Sequence, residues 1–294
     1  MKKIGVVGAG NVGTTLALAL QEKGYPLLGF CCRTEESTRR AAGLLGCPSF
    51  SRQLSRFREA DLIFITTPDR SIEPVCRQLA REGAFRRGQI VLHTSGAHSS
   101  AILKAAREAG AYCLSMHPLQ TFPSVEAGRR NLPGSYFTLE GDEEALAEGM
   151  RMVEMLGGIP LTIPTSMKPL YHAAACVACN YYITLVEVAV EMLEHSGVPR
   201  EQALPALLPL LQGTLANIAR VGVPGALTGP IDRGDQTTIK AHLEILQREM
   251  PRVLELYRVM GSYTVEVARA KGTLEEKGGR ELQQLLKATE TGNQ

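Results

Sequence analysis

No stretch of this 294-residue chain is strongly basic, and none interleaves aromatics with lysine and arginine. With 32 Lys and Arg against 30 Asp and Glu, a net charge of +2, the electrostatic footprint of a nucleic-acid binder is missing. No internal repeat or low-complexity segment stands out, and no apolar run has the length and purity expected of a membrane span. The first strand pattern begins within three residues of the amino end, leaving no room for a signal peptide, so a cytoplasmic protein is expected. A disulfide framework is not evident either. The seven cysteines, Cys31, Cys32, Cys47, Cys76, Cys113, Cys176 and Cys179, are odd in number and scattered, which fits reduced thiols. What the chain does have is 44% hydrophobic content, enough for a substantial core, and a length that suggests two domains.

The amino end carries the densest information. Ile4, Val6 and Val7 form a short apolar strand that runs into Gly8-Ala9-Gly10-Asn11-Val12-Gly13, after which Thr14 to Leu20 continue with helical spacing towards Gly24. A GxGxxG between strand and helix is a dinucleotide fingerprint. Gly8 permits the tight turn, Gly10 lets backbone approach a pyrophosphate, and Gly13 lets helix pack closely on strand. The amides of Asn11 and Val12 open the helix, where they face the phosphate charge. The second strand pattern ends at Arg33, about 20 residues past the fingerprint, where an acidic residue would bind the ribose hydroxyls of NAD. A guanidinium there pairs with a 2′-phosphate instead, and Ser37, Arg39 and Arg40 stand ready to add donors, so NADP is favoured over NAD.

Seven apolar strand patterns alternate with helical ones as far as Ile163, the signature of a doubly wound parallel α/β sheet. Ligands in such sheets bind beyond the carboxyl ends of the strands. This marks Thr67-Pro68-Asp69 after the third strand and Ser95-Gly96 after the fourth as cofactor contacts, with His93 and His117 nearby as polar boundary residues. From residue 164 the chain turns helical, punctuated by Pro199, Pro205, Pro209, Gly222 and Pro224. The expected division is residues 1–163 as the nucleotide-binding domain and residues 164–294 as an all-helical one.

The first helix of the second part, Pro169 to His195, carries a polar stripe. His172, Cys176, Asn180, Thr184, Glu187 and Glu191 recur every three or four residues on one slowly drifting face, His172 and Asn180 being about 12 Å apart along the axis. His172 is expected to donate a proton to a carbonyl or imine during reduction, and Asn180 to orient the substrate. Cys176-x-x-Cys179 lacks the further ligands that zinc needs, so no metal is expected. The loop Thr228 to Asp235 holds Arg233, suited to a bidentate grip on a carboxylate, and ends at Asp235, a good helix N-cap.

GVVGAGNVG, TTPD, HTSG, HPLQTFP, the YHAAA…NY helix and LTGPIDRGD together resemble the oxidoreductase family that joins a Rossmann-like domain to the helical domain of unknown function 2520. More distantly the chain is similar to pyrroline-5-carboxylate reductases, ketopantoate reductases and β-hydroxyacid dehydrogenases. The resemblance implies a nicotinamide cofactor bound between an amino-terminal sheet and a dimerising helical domain of the 6-phosphogluconate dehydrogenase carboxyl-terminal type. In two of these families an interdomain helix carries a Lys one turn before an Asn. If Asn180 takes the Asn place, Cys176 stands where the Lys should be. Lys168 lies two turns from that place and before a proline, which leaves His172 as the substitute acid. The expectation is an NADP-dependent reductase of a C=O or C=N group in a small carboxylate, with a ketopantoate-like oxo acid ahead of an imino acid. A non-catalytic NADP-binding sensor and a deazaflavin-linked reductase are the alternatives. No nucleic acid or membrane partner is expected, and the protein is expected to be a homodimer.

Overall fold

The computed structural model describes residues 1–287 and divides them into two compact units, the first running from Met1 to Tyr181 and the second starting at Tyr182. The first unit therefore extends beyond Ile163, where the sequence changes character. Residues 164–181 stay with the sheet because Lys168 at the start of their helix is wholly buried against it.

Seven strands form one sheet: β1 (Ile4–Val7), β2 (Leu27–Cys31), β3 (Leu62–Ile65), β4 (Ile90–His93), β5 (Tyr112–Pro118), β6 (Tyr136–Gly141) and β7 (Ile159–Thr162), in the order β2-β1-β3-β4-β5-β6-β7. β1, β3 and β4 are buried at every residue, as continuous apolar strands must be when both faces are covered. Between β1 and β3 the winding reverses, which opens a crevice at the carboxyl ends of the strands. The sheet is not parallel throughout. β6 runs antiparallel to β5, and β7 returns parallel to β6. The β5–β6 connection contains only α5 (Val125–Asn131), which packs on α1 (Asn11–Glu22) and sends the chain back beside β5 in the opposite direction. Two apolar clusters pack on this sheet, one centred on Leu16, Phe30, Phe64 and Phe137 and the other on Phe57, Ile63, Leu79 and Val91.

The long helix expected from Pro169 is broken. α7 (Lys168–Cys176) leads into a π-helical turn at Val177–Tyr181 before α8 (Tyr182–His195) begins. The second unit consists of α8, α9 (Arg200–Ala226), α10 (Gln236–Glu249), α11 (Pro251–Lys271) and α12 (Glu276–Leu286), with a small core around Ile239, Val265, Leu282 and Leu286. No strand occurs there among the described residues. Contrary to the expectation from apolar runs, the helical stretches Thr165–His195 and Arg200–Ala226 are long and apolar enough to cross a membrane by length and composition. Their charged residues cluster near the ends, which leaves the middle of each stretch apolar.

Candidate functional site

The fingerprint glycines take three separate roles. Gly8 has φ of 90°, and a Cβ there would fall 2.9 Å from the Thr67 amide nitrogen. A Cβ on Gly13 would collide with Thr66 Oγ1 and sit 2.9 Å from the Gly8 carbonyl oxygen, so strand and helix need its absence. Around Gly10 a Cβ would meet nothing within 4 Å, because that position faces an open cleft. Gly10 caps α1 without any side-chain hydrogen bond, which leaves the first amides of the helix uncapped by side chains.

The cleft measures about 580 Å³ and is lined by Gly8, Gly10, Arg33, Thr66, Thr67 and Pro68, among others. It spans the point where the winding reverses. Thr67 Oγ1 is buried there with no hydrogen-bond partner among the described residues. An orphaned hydroxyl beside open space and uncapped helix amides fits a phosphate oxygen. Arg33 stands exposed at the mouth, past the end of β2. Thr34 and Ser37 are occupied with each other as the capping box of α2 (Glu35–Leu45), so the Ser37 hydroxyl is already committed. Arg39 and Arg40 are exposed on that helix, outside the cleft lining. Asp69 opens α3 (Asp69–Arg81) and is exposed, and Val12 is half-buried in α1. The Asn11 side chain turns elsewhere. It donates to the Phe122 and Pro123 carbonyls at 3.0 Å each, tying the HPLQTFP segment to the start of α1.

Beyond β4 and β5 lies a second cluster. His93 is fully buried and uncharged; burial holds its pKa down at about 3. Its Nδ1 accepts from the Ser95 amide at 3.1 Å, and Nε2 donates to the Ser99 carbonyl at 3.1 Å, so the residue is a brace for the loop. The Ser95 hydroxyl accepts from the amides of Ala97 and His98, which holds the turn in shape. Lys168 lies beneath this loop with no exposed surface, donating from Nζ to the Ser115 hydroxyl at 2.8 Å and to the Ser95 carbonyl at 3.0 Å. Burial lowers its pKa to about 8, against the opposing pull of Glu140 and Asp69. Above Gly96 two imidazoles converge: a Cβ there would fall 2.6 Å from His172 Nδ1 and 2.9 Å from His117 Nε2. His172 Nδ1 is buried without a hydrogen-bond partner among the described residues, and its Nε2 lies 3.6 Å from Cys176 Sγ.

His172, Ser95 and Gly96 are thus brought together. Asn180 is exposed and lies within the π-helical turn. A π turn carries one extra residue, so the regular three- and four-residue spacing expected from His172 to Glu191 is interrupted at Val177–Tyr181. Lys168 and His117 were the residues that the sequence undervalued. The proline after Lys168 reads as a break in a helix, whereas Pro169 occupies the first turn, where proline is at home.

Within the second unit, Asp235 caps α10, accepting from the Thr238 amide at 3.0 Å as expected. Asp232 is tied to Lys271 at 2.9 Å and to the Thr273 hydroxyl at 2.5 Å. Arg233 is exposed.

Fold and site define a Rossmann-like protein with an appended helical unit. More particularly, residues 1–118 match the Rossmann-like domain and residues 135–264 the domain of unknown function 2520. No curated protein matches it. Among solved structures it is similar to a Bacteroides fragilis protein described as a candidate NADP oxidoreductase, at 25% identity and TM-score 0.69, covering 92% of this chain and 97% of that one. The Thermotoga maritima protein TM1727 follows at 24% identity and TM-score 0.72, covering 91% and 99%. A pyrroline-5-carboxylate reductase from Streptococcus pyogenes shares the fold at 18% identity and TM-score 0.59, covering 96% and 98%.

Proposed function

We propose that the protein is an NADP-dependent oxidoreductase that reduces a C=O or C=N group of a small carboxylate. The observation that supports this most is the Thr67 hydroxyl, buried and unpartnered in a cleft beside the open face of Gly10. The candidate NADP oxidoreductase of Bacteroides fragilis and an imine reductase of Streptomyces aurantiacus, TM-score 0.61, share the architecture.

In this reading Gly8 to Gly13, with Thr67 and Pro68, hold the pyrophosphate, and Arg33 pairs with the 2′-phosphate. NADPH held by these residues would supply the hydride that the substrate carbon takes up. The displaced π pair moves onto the carbonyl oxygen or imine nitrogen, which takes a proton from His172 above Gly96. Asn180 is the proposed contact to the rest of the substrate, a ketopantoate-like oxo acid is the leading candidate, and the Arg233 guanidinium is suited in chemistry to a carboxylate. A homodimer through the helical unit belongs to the same proposal. Along α9 and α11, Leu210, Leu215, Val223 and Tyr263 are all more than half exposed, a face that a second copy would cover.

Calorimetry of NADPH and NADH against wild type and Arg33→Ala tests the cofactor assignment. NADPH is expected to bind at least about tenfold tighter, a difference of about 1.4 kcal/mol that Arg33→Ala erases. Equal affinities in the wild type would sink the role of Arg33, and no binding of either would sink the dinucleotide reading.

A further inference from the structure

His117, near the end of β5, has no part in the reaction as described so far. Its Nδ1 lies 2.8 Å from the Tyr171 hydroxyl, and its ring stands edge-on to Tyr171 and to His172, with centroids 5.6 and 6.3 Å away. Burial, reinforced by Lys168, His172 and His93, holds its pKa down at about 3, while burial raises that of the Tyr171 phenol. Near neutral pH the phenol therefore keeps its proton and the imidazole is uncharged. The phenol donates, Nδ1 accepts, and the single ring proton must sit on Nε2. That Nε2 is the atom aimed over Gly96, where a Cβ would lie 2.9 Å away, and it makes no hydrogen bond to protein among the described residues.

The geometry points to His117 as a further catalytic residue, a fixed and uncharged N–H donor to the carbonyl oxygen or imine nitrogen of the substrate, held in that tautomer by Tyr171 as a positioning residue. This rests on the reductase reading above. As the carbon accepts hydride, negative charge grows on the oxygen or nitrogen, and a donor already aimed there stabilises it without reorganising. An uncharged imidazole is too weak an acid to give up Nε2–H, so it orients the acceptor atom while His172 delivers the proton. Gly96 makes room for both rings, and any side chain at that position would push them apart. Four titratable groups surround the ring: Lys168, His93, His172 and Tyr171.

Two measurements decide the matter. In ¹⁵N NMR of histidine-labelled protein, His117 is expected to stay neutral with Nε2 protonated from about pH 5 to about pH 9, and Tyr171→Phe to release the other tautomer. A His117 that titrates inside this range, or that carries its proton on Nδ1, overturns the proposal whether or not any substrate turns over. In NADPH oxidation with ketopantoate or 1-pyrroline-5-carboxylate, His117→Ala is expected to lower kcat about 100-fold or more, with NADPH affinity unchanged within about twofold. His117→Gln, whose amide nitrogen approaches the place of Nε2, is expected to recover at least about tenfold of that loss. A His117→Ala variant that keeps kcat within about threefold overturns the proposal. Wild type inert towards both compounds counts instead against the substrate class, and the NMR result then decides for His117 alone.

Discussion

The most consequential residue is Lys168, an ammonium with no exposed surface beneath the Ser95 loop. Two acceptors hold it, Ser115 Oγ and the Ser95 carbonyl, and those two bonds link α7 to the ends of β4 and β5. Because its folded pKa of about 8 lies below the ordinary 10.5, the native state loses this proton first. Between those values the unfolded chain binds more protons than the native one, so the lysine's contribution to stability rises with pH across that window. Urea denaturation of wild type and Lys168→Met at intervals from pH 7 to 11 isolates the effect. The stability difference is expected to move in favour of wild type by roughly 3 kcal/mol over the window. A difference that stays flat would mean that burial does not lower the pKa of the lysine. At this scale the fingerprint was legible, since Gly8, Gly10 and Gly13 each have one backbone reason to lack a side chain. Lys168 was not legible: burial of a charge depends on partners some 50 to 70 residues away in sequence, which spacing cannot reveal.

At the level of elements, β6 and the π turn do the most to shape the site. Antiparallel β6 places Glu140, itself buried, where it accepts from the Ser100 amide at 2.6 Å, the Ser100 hydroxyl at 3.0 Å and the Thr165 hydroxyl at 2.9 Å. One carboxylate thus joins the segment after β4 to the segment that starts α7. Glu140→Ala would strand the Ser100 amide in the interior. The expected cost is about 2 kcal/mol in chemical denaturation, and Glu140→Gln, which keeps one acceptor, should cost less. Equal losses for the two variants would show that the charge matters rather than the acceptor. The π turn at Val177–Tyr181 has no residue signature, because helical periodicity assumes a constant rise and rotation.

For the molecule as a whole, the apolar helices of the second unit predict self-association. Ile183, Leu210, Leu215 and Tyr263 are between 64% and 71% exposed, apolar surface that a second copy would cover. Light scattering after gel filtration is expected to give twice the chain mass at micromolar concentration. Leu210→Glu with Leu215→Glu should shift the species to a monomer while the NADPH binding proposed for the first unit is retained. A wild-type monomer would rule the pairing out.

Local chemistry accounts for what could be read in advance: strand-forming runs, the glycine turn, the Asp235 cap and the helical second half arise from residues that are neighbours in sequence. Distance accounts for the rest. The reversal of β6, the burial of Lys168, the π turn and the meeting of His117 and His172 over Gly96 arise where segments far apart in the chain compete for one interior, and only packing settles which side chains share it.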